Sequence, residues 1–470
     1  MGKIAGSQPK PKTFLGEMLD RFAEKAAISV MVRATMENAL APKPLDELFG
    51  RVADRQYTRQ LLFSTLVALM AVVVCRVRKS VHAAFKAMRE EIPVSLTALY
   101  DKLDGTEPGV SAALVRHSAN RMREVIDATG GALPPRFPGY RMKILDGNHL
   151  AATQRRIKPL RGSKAGPLPG FGLVVLDPAL MLAIELIPCE DGHAQERALT
   201  PQILQLVEPR DLWLADRNFC TVSLLFGMAR NASFIVRQHG ALPWTPIGSP
   251  SQVGRTATGQ VTEQEVLVTD PEQHALHLRR ITVHLDGYTR DGDRELHLLT
   301  NLPPEISASA IADAYRDRWR IEGLFAELER NLDGEIDTLG YPKAALFAFA
   351  VALLAYNVLS TAKAAMRAHH GVETIEEGLS AYYVADELSG THRGMMIAVP
   401  DEEWRIFGSF TPAQLAALLV QLAANIDLRR FAKKRCGPRG PRLARLRFRN
   451  KQHVSTFRLL AGQPKRQRTP

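Results

Sequence analysis

Three carboxylates, Asp146, Asp216 and Glu322, stand in settings from which they could hold a hard divalent cation. Asp146 follows the alternating run Tyr140-Arg-Met-Lys-Ile-Leu145 and precedes Gly147-Asn148-His149; Asp216 follows Leu212-Trp-Leu-Ala215 and precedes Arg217-Asn218-Phe219. Each run predicts a strand, so each acid is expected to close a strand and reach the edge of a sheet. An aspartate there also serves as a turn residue or a helix cap, and neither acid alone decides between these roles.

Glu322 ends the run Tyr315-Arg-Asp-Arg318-Trp-Arg-Ile-Glu322, inside a helical stretch from Ile311 to Arg330. At roughly 100° per residue, Tyr315, Arg318, Trp319, Glu322, Glu329 and Arg330 share one polar-aromatic face. Ile321, Leu324, Phe325 and Leu328 form an apolar stripe, and Arg316, Arg320 and Glu327 a solvated face. A surface helix with an Arg318–Glu322 ion pair at i,i+4 fits the same pattern. The combination of three acids is more telling. Mg²⁺ or Mn²⁺ takes carboxylate oxygens, and two such ions about 4 Å apart serve phosphoryl transfer.

Other chemistries find little support. GxGxxG and GxxxxGK patterns are absent, which argues against a nucleotide cofactor. Cys75, Cys189, Cys220 and Cys436 lie far apart with no CxxC pair, which disfavours structural zinc and disulfides and suits a reducing cytosol. His149 has no second His at i+4, and His369-His370 is expected to be a solvated helix end.

The elements that must position these acids fall into five stretches. Residues 1–135 are expected to be a helical, DNA-binding region, with apolar-periodic segments Leu45–Arg76, Ser80–Glu90, Ser95–Leu103 and Ser111–Ala128. Ser80–Glu90 and Ser95–Leu103, the second capped by Ser95, have the lengths of a helix-turn-helix. Residues 136–239 read as the first part of an α/β core. Strands are expected at Phe171–Leu176, Met181–Ile187, Asp211–Asp216 and Ser233–Arg237, and helices at His193–Val207 and Val222–Arg230. Residues 240–300 read as a β-rich insertion with strands at Val261–Val268, Arg280–Leu285 and Glu295–Leu299. Residues 301–370 complete the core with a long helix, capped by Ser307 or Ser309, that carries Glu322 and runs to about Leu332; residues 371–470 are helical and then basic.

The formal net charge is +12, and it is concentrated: residues 428–470 hold fifteen Lys and Arg and no Asp or Glu. Such a block suits a polyanion, or is simply a solvated tail. Arg442, Arg445, Arg447 and Arg449, with Phe448 among them, suit phosphate contact and stacking. The apolar stretches Leu61–Cys75 and Ala344–Leu359 fall short of the roughly 20 residues of a membrane span and are expected to be buried helices.

Strand-Asp146-Gly-Asn-His149, Ala215-Asp216-Arg-Asn-Phe219, Leu298-Leu-Thr-Asn-Leu-Pro303 and Tyr315-x2-Arg318-x3-Glu322 occur in that order. Together they resemble the signature of the insertion-sequence-four family of DDE transposases. The resemblance runs from about residue 140 to residue 330. It implies a ribonuclease-H-like α/β catalytic core with a β-rich insertion, flanked by N-terminal and C-terminal helical domains. It also implies a dimeric enzyme that binds double-stranded DNA, both the inverted-repeat ends of its element and a target, in the bacterial cytoplasm at the nucleoid. Asp146, Asp216 and Glu322 map onto metal ligands, for Mg²⁺ or Mn²⁺ as two ions, and Tyr315 and Arg318 onto residues that hold phosphates beside the cut. Some members seat a flipped base against an aromatic of the insertion, for which Trp244, the single Trp of that segment, is the candidate. The family has a Lys seven residues after the Glu; here that position is Glu329, with Arg330 next to it. A ribonuclease-H-like nuclease or resolvase without strand transfer, and an inactive DNA-binding remnant, are the alternative readings.

Overall fold

A computed structural model describes residues 16–56, 60–151, 168–289 and 292–433. Among the described residues the first elements are seven helices: α1 (Glu17–Lys25), α2 (Ala27–Ala39), α3 (Pro42–Val52), α4 (Phe63–Val74), α5 (Val81–Ala87), α6 (Leu96–Gly105) and α7 (Pro108–Thr129). The run expected over Leu45–Arg76 is thus two helices, because the apolar period lapses in the polar stretch 53–60. Ser80 and Ser95 cap α5 and α6, each accepting a backbone N–H with its side chain.

Strands β1 (Arg141–His149), β2 (Phe171–Asp177) and β3 (Leu182–Cys189) follow as an antiparallel meander. Next come α8 (Thr200–Leu204), β4 (Asp211–Ala215), α9 (Val222–Ala229) and β5 (Ser233–Arg237). In place of one helix over His193–Val207 there is a 3-10 turn, Glu196–Leu199, and the five-residue α8. Then come β6 (Thr245–Thr256), β7 (Gly259–Thr269), β8 (Ala275–Leu285) and β9 (Glu295–Thr300). The nine strands of the described residues form one mixed sheet in the order β3-β2-β1-β4-β5-β9-β8-β7-β6. β1, β4 and β5 are parallel; β2, β3 and β6 to β9 are joined by antiparallel pairings. The first five strands in this order fit a ribonuclease-H-like core. β9 bonds to β5 on one side and β8 on the other, so residues 240–300 extend the core sheet.

Central strands show why they are central. β2 and β4 are buried at every position, as expected where a sheet is covered on both faces. Part of that cover is α12 (Pro342–His370), which follows α10 (Ala308–Tyr315) and α11 (Trp319–Asn331). α12 is long and apolar enough to cross a membrane by length and composition, but 94% of its most apolar window is buried in the protein. Its alanines let α7, α16 (Pro412–Ala423) and β3 pack closely. α13 (Val372–Gly378), α14 (Ala381–Ala398) and α15 (Asp401–Arg405) precede α16. These last helices share a second core with the first ones, where Leu19, Ile28 and Met31 meet Trp404, Phe407 and Leu419. His370, expected in solvent, instead lies 2.9 Å through Nε2 from the Ala423 carbonyl.

Candidate active site

The parallel pairing of β1 with β4 ends at Leu145↔Ala215. Asp146 and Asp216 are therefore the next residue on each strand, side by side at the carboxyl ends of two parallel neighbours. That is where α/β sheets bind ligands. Asp146 does not close its strand, however. β1 runs on to His149 because Asp146, Gly147, Asn148 and His149 keep pairing with Val174, Leu173, Gly172 and Phe171 of β2. Asp216 opens a 3-10 turn over Arg217–Phe219, anchored by the buried Phe219.

Glu322 comes from the far side. Ser307 caps α10 by accepting the Ala310 N–H at 3.3 Å, and Ile311 and Ala314 bury its inner face. Between α10 and α11 the chain tightens into a 3-10 turn, Arg316–Arg318, so the two helices are not one continuous rod. The tighter turn changes the phase of α11 relative to α10 and leaves the order of faces within α11 as it was. Ile321, Leu324 and Leu328 still form the buried stripe. Glu327, expected in solvent, is largely withdrawn from it, and Arg320 is 38% exposed. Burial pushes the Glu327 carboxyl above the usual range beside Lys363 of α12, and Arg320 reaches Asp317 at 3.3 Å and the Pro178 carbonyl at 3.4 Å.

Arg318 joins the two sides. Its Nη1 donates to Asp146 Oδ2 at 2.9 Å and its Nη2 to Glu322 Oε1 at 2.7 Å. The expected Arg318–Glu322 pair is present, but it is one half of a bridge to the strand-borne acid. The guanidinium side chain is 11% exposed, Asp146 20% and Glu322 48%, so the bridge runs from interior to surface. Burial pushes the Asp146 carboxyl up to about 6; Arg318 and the Gly147 N–H oppose this, and Glu196 and Asp216 add to it. Three acids crowd one partly desolvated spot.

Glu196 was not foreseen. Its Oε1 would stand 2.1 Å from a Cβ at position 147, so glycine there is what lets it approach β1. Its Oε2 accepts from Asn218 Nδ2 at 3.4 Å, which ties it to the turn after Asp216. No pattern in the sequence marks it. Trp319, by contrast, is placed on the Glu322 face by its helical period, though without a role; it is 68% exposed, one turn before Glu322.

The other sequence candidates fall in several places. Tyr315 is buried, its ring 6.0 Å from the Arg318 guanidinium, and burial pushes its phenol above the usual range. Trp244 is half-buried just before β6, stacked with Arg280 at 4.7 Å; that contact does not involve the carboxylate cluster. Arg280 is held in turn by Gln238 Oε1 at 2.7 Å. His149 stacks on Phe171 at 5.1 Å, and Asn148 reaches Glu335 at 3.5 Å. Glu329 and Arg330 are both exposed in the last turn of α11. Arg442, Arg445, Arg447 and Arg449 lie outside the described residues.

The donor set of Asp146, Asp216 and Glu322, with Glu196 nearby, is all carboxylate oxygen, which suits Mg²⁺ or Mn²⁺ and not a thiolate-loving ion. Crowded negative charge on a desolvated strand end also calls for a cation, and Arg318 supplies one. Among the described residues, the group of three ligand types with donor atoms all within 4.8 Å is elsewhere: Asp270, Glu272 and His274 on the β7–β8 turn. There the Asp270–His274 hydrogen bonds close the turn itself.

No curated protein matches the sequence. Among solved structures, a cryo-EM structure of the piggyBac transposase synaptic complex with hairpin DNA aligns with 84% of this chain and 86% of that chain. The identity is 9% and the TM-score 0.37. Residues 140–358, which take in Asp146, Asp216 and Glu322, match the family model of the transposase DDE domain, and this stretch of the chain is similar to that domain.

Proposed function

We propose that the chain is a DNA transposase that binds the inverted-repeat ends of its element and catalyses strand cleavage and strand transfer. The observation that carries this reading is the register Leu145↔Ala215, which sets Asp146 beside Asp216, together with the Arg318 bridge from Asp146 to Glu322. The likeness of residues 140–358 to the transposase DDE domain supports it.

Asp146, Asp216 and Glu322 would hold Mg²⁺ or Mn²⁺, as two ions, and these when bound supply Lewis-acid activation of water or a 3′-hydroxyl and offset phosphate charge. The protein's own groups do the rest. Arg318, fixed over the Tyr315 ring, is a guanidinium already at the carboxylate edge; its two Nη donors, held here by Asp146 and Glu322, would be the ones to turn to two oxygens of a phosphodiester. Exposed Trp319 offers a flat face for an unstacked base beside the cut, and Trp244 with Arg280 offers another on the sheet extension. We assign the basic segment, with Arg442, Arg445, Arg447 and Arg449, to the DNA backbone, Arg330 to the same role beside Glu329, and the active form to a homodimer on paired ends in the bacterial cytoplasm.

The test is a supercoiled donor plasmid carrying the flanking repeats, with Mg²⁺ or Mn²⁺. Joined products are expected; nicking or hydrolysis alone would favour a nuclease or resolvase, and end-binding without cleavage an inactive remnant. Asp146→Ala should lower cleavage by about a thousandfold or more and spare end-binding. Cleavage that survives this change removes Asp146 from the site.

A further inference from the structure

We propose that Arg76, in the turn after α4, is a positioning residue for Glu322. It acts by clamping the carboxyl end of α11. The last carbonyls of a helix lack intrahelical partners and are usually met by a glycine turn or water. α11 has no such turn: its chain leaves through Leu332 in an extended conformation, φ −120° and ψ 165°. The Arg76 guanidinium meets those carbonyls instead. Nη1 donates to Arg330 O at 2.7 Å, and Nη2 to Glu329 O and Leu332 O, each at 2.9 Å. A positive charge at this end also complements the helix dipole. One backbone bond, Asp333 N–H to Val74 O at 2.7 Å, ties the same two elements.

The backbone of Arg76 shows that the guanidinium, not the turn, sets the residue type. Its φ is +58°, a left-handed conformation that glycine adopts freely and arginine at a cost of about 1 kcal/mol. A turn that merely ended α4 would be better served by glycine. Arginine there makes three bonds to a helix more than 250 positions away.

The consequence for the site follows from what else fixes α11, which besides Arg320 on the Pro178 carbonyl lies at its amino end and along one side. Glu322 is half-exposed, and its helix is held at the amino end by the Arg318–Asp146 bond and along one side by Ile321, Leu324 and Leu328. Arg76 closes the other end. The clamp comes from the N-terminal helices, so their placement feeds directly into the distance between the helix-borne acid and the two strand-borne ones.

The proposal rests on the metal-binding reading of the three acids, and the test separates the two. The full chain is compared with Arg76→Gly, which keeps the turn without strain and removes the guanidinium, and Arg76→Lys, which keeps charge but cannot span three carbonyls. Two readouts serve: Mn²⁺ binding without DNA by electron paramagnetic resonance, and amide hydrogen exchange. In R76G we expect Mn²⁺ binding about tenfold to a hundredfold weaker, the range for groups that orient metal ligands. Faster exchange confined to α11 should accompany it, with β1 and β4 unchanged; R76K should fall between. Parental Mn²⁺ affinity with unchanged α11 exchange overturns the proposal, as does faster exchange throughout the chain. A parent that takes up no Mn²⁺ removes the functional reading. The exchange measurement then still decides the clamp: α11 exchange unchanged in R76G overturns it.

Discussion

The two aspartates and the glutamate of the site are held in opposite ways. Asp146 and Asp216 continue strands that lie inside the sheet, with β1 between β2 and β4, and β4 between β1 and β5. Main-chain pairing on both sides fixes where those carboxylates start. Glu322 instead rides on a 13-residue helix whose ends are secured by side chains, Arg318 at one and Arg76 at the other. Backbone ladders are insensitive to single substitutions away from them; side-chain clamps are not. The strand half of the site should therefore fail only when the sheet itself is weakened, whereas the helix half can be loosened locally.

The largest expected effect tests the strand half. At the base of β1 and β4, Lys143 Nζ lies 2.6 Å from Asp211 Oδ2, with side chains 4% and 1% exposed. The ammonium also reaches the Leu206 carbonyl at 3.2 Å and lies 5.1 Å from the Trp213 ring centroid, and Asp211 accepts the Glu208 N–H at 2.9 Å. Asp211→Ala takes the nearer of two carboxylates from a buried ammonium and leaves it Glu208 at 3.5 Å, so chemical denaturation should show a loss toward the lower end of about 3–5 kcal/mol. Lys143→Met with Asp211→Leu should recover most of it, because the pair's desolvation cost goes with its attraction. A midpoint unmoved by Asp211→Ala would mean that the strand-borne acids do not rest on a clamped base.

A smaller effect is expected on the helix half. Burial raises the Glu327 carboxyl, and Lys363 and Asn331 only partly offset that. A raised folded-state value means that the fold favours the protonated acid. Its contribution is fully present below the ordinary carboxylate range near 4.5 and is lost as pH rises through the higher folded value. Glu327→Gln should then stabilise the protein at neutral pH by up to about 1 kcal/mol and flatten its stability over that window. A variant that is less stable at pH 7 would show that the Lys363 pairing outweighs the burial cost.

How much of this was visible beforehand follows the same division. The alternation before Asp146 and the short apolar run Leu212–Ala215 before Asp216 gave β1 and β4, because both are local patterns. The end of β1 was not visible: Gly147-Asn148-His149 has no strand pattern, and it is β2 that holds it extended. β6 was missed for a related reason. Pro246, Gly248, Pro250 and Gly254 look like a loop, yet an edge strand tolerates proline, and the register skips between Ile247 and Ser251 and between Gln252 and Gly254 absorb the irregularity. The helix face carrying Arg318 and Glu322 was legible from its period, but the 3-10 turn at Arg316–Arg318 was not, nor was the packing that buries Glu327 beside Lys363 of α12. Glu196 and Arg76 could not be foreseen at all. Glu196 owes its place to a glycine about fifty positions earlier, and Arg76 to a helix end more than 250 positions later.

The smallest expected effect marks where side-chain contacts stop mattering. Two arginine–carboxylate pairs lie on the sheet extension. Arg279 of β8 lies 2.5 Å from Glu263 with side chains 12% and 21% exposed. Its Nη1 donates to Pro303 O at 2.7 Å and Ile306 O at 2.9 Å, in the turn that leads into α10. Arg255 of β6 meets Asp286 at 2.6 Å, but the two side chains are 56% and 55% exposed and the arginine makes no bond to another element among the described residues. Its distance is as short as that of the buried pair, so distance alone would rank them equal. Solvent decides otherwise: water and salt screen an exposed pair, and its net contribution is about 0–1 kcal/mol. Arg255→Ala should therefore shift the denaturation midpoint by no more than that and leave Mn²⁺ binding unchanged. Loss of Mn²⁺ binding in this variant would mean that the far edge of the sheet, and not only the clamps at α11, controls the position of Glu322.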